Sequence, residues 1–249
     1  MIDIHAHILP GVDDGAADMD SALEMAAMAV ESGVSTLVVT PHCMDYAHRK
    51  NFWDQQLEME IANFRHRLKQ ENIPLEIMPG MEIFGNHRTP QYIKQGKMIG
   101  LNHSYYPLIE FAFYNYASQA TEILGELINM GLRPVIAHPE RYRYVQDDPA
   151  ILNMWTEMGC LLQINKGSLL GSFGRTEQAL AFEMVGRGFA TAVASDAHTP
   201  VMRTTWMKDV QRLLREEFSP STAKKLLETN PAKILKNEKI RWEEPHWFR

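Results

Sequence analysis

Seven short apolar runs, separated by amphipathic stretches, leave this chain of 249 residues few ways to fold. The runs cover residues 2–8, 36–40, 75–84, 106–113, 134–138, 161–164 and 190–194. Several are rich in β-branched residues and lack polar alternation, as expected of strands covered on both faces. The stretches between them read as helices at about 17–32, 52–70, 118–130, 149–158 and 177–187. In the first, Met19, Leu23, Ala26, Ala27 and Val30 form one stripe and Gly33 is a stop signal. Strands alternating with helices imply parallel βαβ units. The expected fold is α/β, with a barrel as the first choice of closure, similar to a TIM barrel but one strand short. An open doubly wound sheet is the runner-up, although no Gly-x-Gly-x-x-Gly follows a strand. The expected organisation is one domain over residues 1–249, with C-terminal helices from about 203 that include a Ser219-Pro220 cap and first turn.

The strand ends carry the chemistry. The first ends in His5-Ala6-His7 and the second in Thr40-Pro41-His42. The third reaches Gly80-Met81-Glu82, the fourth carries Glu110 and the fifth ends in His138-Pro139-Glu140-Arg141. The seventh ends in Ser195-Asp196-Ala197-His198, and only the sixth, near Gln163-Ile164-Asn165, lacks a strong ligand. In a parallel barrel these ends converge on one mouth. His5 and His7 are two apart, as are Asp196 and His198, so on a strand each pair faces one side. A single such histidine is an ordinary polar residue; residues of this kind from six segments are a ligand set. Asp14, in Gly11-Val12-Asp13-Asp14-Gly15, joins it on the first loop, although an Asp-Asp-Gly stretch alone is a turn signal.

Asp14, Glu82, Glu110 and Asp196 bring four negative charges together, which raises their pKa values and destabilises the fold unless cations intervene. Five histidines and four carboxylates exceed the needs of one metal, so two or three divalent ions are expected. Three would leave the cluster positive by about two charges and ready for an anion. The mixed nitrogen and oxygen donors suit manganese, iron or zinc.

The formal charge is −6. With no basic stripe, this argues against nucleic acid as the partner. Two cysteines, Cys43 and Cys160, make no disulfide framework. With no leader and no apolar run long enough to cross a bilayer, the expectation is a cytoplasmic protein without membrane insertion. His42-Cys43 to Arg49 formally fits His-Cys-x5-Arg, the signature of cysteine-dependent phosphatases. Its intervening Met44, Asp45 and Tyr46, without glycine, make a poor phosphate loop. The basic stretch 224–239 reads as a solvated helix face. The aromatic end Trp242 to Arg249 reads as a segment that docks on a neighbour or stays disordered.

The segments His5 to Gly15, Thr40-Pro41-His42, Gly80-Met81-Glu82, Ile109-Glu110, Ala137 to Tyr142 and Ser195 to His198 resemble the polymerase-and-histidinol-phosphatase superfamily. More narrowly they resemble the bacterial metal-dependent tyrosine-protein phosphatases of capsule and exopolysaccharide operons, the CpsB/CapC type. Gly167-Ser168-Leu169 through Phe173-Gly174 fits as well. The resemblance runs from Met1 to about His198. It implies a distorted (β/α)7 barrel with a trinuclear centre held by His5, His7, Asp14, His42, Glu82, Glu110, His138, Asp196 and His198. It implies that Arg141 binds the substrate phosphate, and that the substrate is a phosphotyrosine cluster on a tyrosine autokinase of polysaccharide biosynthesis.

The expected reaction is hydrolysis by metal-activated hydroxide, manganese being the first choice of metal, with His198 or a coordinated water as a candidate proton donor. Phe113, Tyr114, Tyr116 and Tyr142 follow strand ends and are candidates to line the mouth, or ordinary rim packing. The alternatives are a small-molecule phosphatase such as histidinol phosphatase, a phosphodiesterase or exonuclease of the same superfamily, and a metal-stabilised binding module. An oligomer is left open.

Overall fold

A computed structural model describes residues 1–44, 50–114, 116–240 and 245–248. Among these residues the seven apolar runs become nine parallel strands. They are β1 (Ile2–Ala6), β2 (Thr36–Val39), β3 (His42–Cys43), β4 (Glu76–Pro79), β5 (Glu82–Phe84), β6 (Leu108–Glu110), β7 (Val135–Ala137), β8 (Leu161–Asn165) and β9 (Ala190–Ala194). The third run is broken in two, and the second is followed, past Pro41, by a separate short strand. Pro41 lacks an N–H for the ladder. At Gly80 a Cβ would come within 2.6 Å of the Val38 side chain. The lower pieces pair as β1-β2-β4 and the upper ones as β3-β5-β6-β7-β8-β9. Ala6 bridges Ala197, His7 N–H donates to Ala197 O (2.8 Å) and Asp196 N–H donates to His5 O (2.8 Å). These contacts bring β9 back to β1, so the fold is a distorted (β/α)7 barrel.

Helices surround it. Met19–Glu31 is capped by Asp18 and Gln55–Gln70 by Asp54, while Ala117–Asn129 and Arg175–Gly186 follow later strands. Met25, Phe64, Leu124, Trp155 and Met184 pack there against Leu37, Ile109, Ile136, Leu162 and Val193 of the strands. A smaller cluster fills the barrel: Ile4, Val38, Leu108, Val135, Ala137, Ala192 and Ala194, with Leu101 and Ile234. Ser219 caps Pro220–Lys224, as its sequence indicates. Lys224, Lys236 and Lys239 are exposed, so the basic stretch is a solvated face.

Residues 245–248 of the terminal aromatic segment dock on the chain itself. Phe248 is buried 5.0 Å from the Phe189 ring, and Asn153 exchanges two hydrogen bonds with the Phe248 backbone (2.9 and 3.0 Å). Trp242 lies outside the described residues. Among the described residues no helix is long and apolar enough to cross a membrane.

One irregularity prepares the site. The register of β1 against β2 shifts between Asp3 and Ala6. Below the shift Ile2 and Ile4 pack with the barrel interior. Above it His5 and His7 carry the ring nitrogens that meet Glu82. The two alternations are one residue out of phase, and the bulge absorbs the difference, as bulges beside functional sites do.

Candidate metal centre

The nine residues singled out in the sequence meet at the mouth of the barrel. Glu82 lies at the centre. Its Oε1 is 3.2 Å from His5 Nε2 and 3.1 Å from His138 Nε2, and its Oε2 is 3.3 Å from His7 Nε2 and 2.9 Å from His42 Nδ1. Asp196 Oδ1 lies 3.5 Å from His5 Nε2, 3.6 Å from His7 Nε2 and 3.6 Å from His198 Nδ1. Glu110 Oε1 is 3.6 Å from His138 Nε2. Asp14, half exposed, reaches His42 Nε2 at 3.4 Å and His198 Nε2 at 3.9 Å. The donors fall into four overlapping sets, each with all its ligand atoms within 4.8 Å of one another. They are His7-Asp14-His42-His198, His5-His7-Asp196, His5-Glu82-His138 and His42-Glu82-Glu110.

The pairing of Asp196 with His198 has a different origin from strand alternation. β9 ends at Ala194, and Asp196 has a left-handed backbone (φ +50°). His138 and Arg203 are also left-handed (φ +34° and +51°). Such conformations cost on the order of 1–3 kcal/mol each in a residue other than glycine and collect at functional sites. Gly15 closes the first loop: a Cβ there would sit 1.9 Å from His7 O, so only glycine admits the approach.

The electrostatics reflect carboxylates and imidazoles crowded in a buried space. Burial, reinforced by the charge of Glu82, pushes the Glu110 carboxyl up to about 8. Burial opposes a charged His5 and His42, yet the surrounding carboxylates, Glu82 first, raise them to about 9 and about 10. Burial lowers His138 to about 4 and, helped by His7, lowers His198 to about 3. Protons thus stand among crowded carboxylates where divalent ions would fit the donors equally well.

Several residues missed in the sequence complete the arrangement. Asp13 Oδ2 accepts from His7 Nδ1 at 2.7 Å and from His42 N–H at 2.9 Å. Although burial opposes it, His7 holds the Asp13 carboxyl well below the usual range. Gln163 Oε1 accepts from His5 Nδ1 at 2.9 Å, and Asn165 Nδ2 donates to Asp196 Oδ2. The sixth run therefore brings orienting amides in place of ligands. The Arg141 guanidinium lies 3.3 Å from Asp196 Oδ2. Arg203 reaches the same oxygen at 2.5 Å, and its Nε is buried with no acceptor among the described residues.

One rim reading changes, and the rejection of the cysteine motif stands. Tyr142 does not line the mouth: it is fully buried, its hydroxyl donating to Ala137 O (2.8 Å) and accepting from Phe111 N–H (2.9 Å). Phe113 packs on Arg141, while Tyr114 and Tyr116 stand 88% and 76% exposed at the rim. Cys43 is buried on β3, its thiol 3.5 Å from Lys50 O, away from the solvent that a nucleophile needs. Asp45, Tyr46 and Arg49 of that motif lie outside the described residues.

The family model for CpsB/CapC capsular polysaccharide synthesis proteins matches residues 1–236. The chain belongs to this family. Among CpsB/CapC relatives, the tyrosine-protein phosphatase YwqE of Bacillus subtilis is 36% identical over 96% of this chain and 93% of its own length. The tyrosine-protein phosphatase CpsB of Streptococcus pneumoniae is 30% identical over 96% of this chain and its full length. A crystal structure from work on YwqE and CpsB, described as metal-dependent tyrosine phosphatases, superposes with a TM-score of 0.94 at 35% identity, covering 100% of both chains. A lactonase from Listeria monocytogenes, at 12% identity and a TM-score of 0.62, shares the fold alone.

Proposed function

We propose that this CpsB/CapC family member is a metal-dependent protein-tyrosine phosphatase, with the whole chain acting as one domain. The observation that carries this reading is the convergence of four overlapping donor sets beside two guanidiniums that share Asp196 Oδ2.

His5, His7, Asp14, His42, Glu82, Glu110, His138, Asp196 and His198 are assigned as ligands of two or three divalent ions. Manganese is the first choice of metal, and the donor mix suits iron and zinc equally. When bound, such ions lower the pKa of coordinated water and neutralise charge on phosphoryl oxygens. Arg141 and Arg203 would bind phosphate oxygens through charge-assisted hydrogen bonds. Asp13 and Gln163 fix the ring orientations of His7 and His5. A phenolate leaving group has a pKa near ~10, so its departure asks little of a general acid. His198, held neutral at pH 7 by burial, suits a ligand better than a proton donor. The substrate is assigned as phosphotyrosine on a bacterial tyrosine autokinase of polysaccharide biosynthesis, met in the cytoplasm.

The test compares phosphotyrosine peptides with histidinol phosphate, before and after chelation and thiol alkylation. Preference for the peptides, loss on chelation and survival of alkylation are expected. Preference for histidinol phosphate would reassign the substrate, and activity lost only on alkylation would overturn the metal scheme.

A further inference from the structure

We propose that Phe173 is a positioning residue whose ring holds the guanidiniums of Arg141 and Arg203 side by side for one phosphoryl group. The Arg141 Cζ lies 4.3 Å from the centroid of the Phe173 ring and 4.7 Å from that of Phe113. The Arg203 Cζ lies 5.9 Å from the same Phe173 ring. Both guanidiniums reach Asp196 Oδ2. Two like charges that meet at one carboxylate oxygen repel each other. An aromatic face attracts each of them, and a planar guanidinium stacked on it loses the freedom of a long side chain before substrate arrives. Arg141 touches two rings and so is the more tightly oriented of the pair.

The sequence around Phe173 is built to seat that ring. A Cβ at Gly167 would lie 2.6 Å from Phe173 Cε2 and 3.0 Å from Cζ. Gly167 sits in a short helix, Lys166–Leu169, without a left-handed backbone, so glycine serves the ring there and not the turn. Ser172 N–H donates to Gly167 O at 2.8 Å and draws the loop that carries Phe173 onto the helix. Glu140, beside Arg141, accepts from Asn165 N–H at 2.9 Å and from Ser168 Oγ at 2.7 Å. Platform and guanidinium are thereby braced against each other. Lys166 Nζ donates to Thr204 O and Trp206 O, which tethers the segment after Arg203 to the same helix.

This role rests on the assignment of Arg141 and Arg203 to the phosphate. Its test uses the manganese-loaded enzyme and reads the KM for p-nitrophenyl phosphate and the inhibition constant of inorganic phosphate. Phe173→Leu keeps most of the volume and removes the ring face. Both constants should rise, by roughly threefold to tenfold, with metal content unchanged. Phe173→Tyr should stay close to wild type. Gly167→Ala, which leaves Phe173 in place and displaces its ring, should reproduce the Leu variant and carries the test if that variant does not fold. Were Phe173 mere packing, Leu would bind phosphate as well as Phe, and that result would overturn the proposal. Arg141→Ala and Arg203→Ala are the reference: if neither weakens phosphate, the phosphate assignment falls and the platform with it. If they weaken it and Phe173→Leu does not, only the platform falls.

Discussion

Asp13 Oδ2 accepts a hydrogen bond from His7 Nδ1 at 2.7 Å, and this bond turns His7 Nε2 toward Glu82 and Asp196. A carboxylate behind a ligating imidazole fixes its tautomer and raises its basicity, and loss of such a partner typically costs about 10–100-fold in metal affinity. Asp13→Ala should therefore weaken ion binding by a factor in that range while all nine assigned ligands remain. Asp13→Asn keeps an acceptor and should fall less. Isothermal titration with manganese measures both, and unchanged affinity in Asp13→Ala would remove Asp13 from the centre.

Ion binding should tighten as pH rises. In the ion-free site His5 and His42 are raised to about 9 and about 10, and Glu110 to about 8. A group whose folded pKa is raised stabilises the fold below its unfolded pKa and loses that contribution as pH climbs through the folded value. For the two histidines the loss runs from about 6.5 to about 9–10, and for Glu110 from about 4.5 to about 8, so the stripped protein should weaken toward alkaline pH. Ions displace these protons, so the rise in Tm on adding manganese should grow between about pH 6 and about pH 8. Thermal melts with and without the ion measure it. A pH-independent rise would contradict proton displacement.

Tyr142 should prove a stability residue. Tyr142→Phe leaves Phe111 N–H and Ala137 O without their buried partner. The expected cost is about 1–3 kcal/mol in urea unfolding, with the KM for an aryl phosphate unchanged. A large KM change with intact stability would return Tyr142 to the mouth.

The candidate ligand set was legible because a parallel barrel brings the C-terminal parts of its strands to one rim, so His5, Glu82, Glu110 and His138 could be read from polar residues that interrupt or end apolar runs. The barrel was legible for a related reason, since runs without alternation must be covered on both sides. The break at Gly80 was not, because it falls inside a run that reads as continuous, and neither was β3, because His42-Cys43 lies past Pro41 and beyond the apolar run. Asp13 and Asp14 are neighbours of identical chemistry; only the closure over Gly15 decides that one orients His7 while the other reaches His42 and His198. Arg203 comes from a loop whose left-handed turn has no sequence mark, so its arrival at Asp196 is a tertiary fact. Tyr142 misled because its hydroxyl finds partners inside the core, and a satisfied phenol buries readily.

The most direct measurement is a titration of manganese into ion-stripped protein, with bound ions counted by elemental analysis and phosphotyrosine hydrolysis followed at each addition. Two or three ions per chain should bind, and activity should rise from zero with their occupancy. Full activity in protein that holds no ion, or tight loading that leaves every phosphotyrosine substrate intact, would contradict the assignment of this centre.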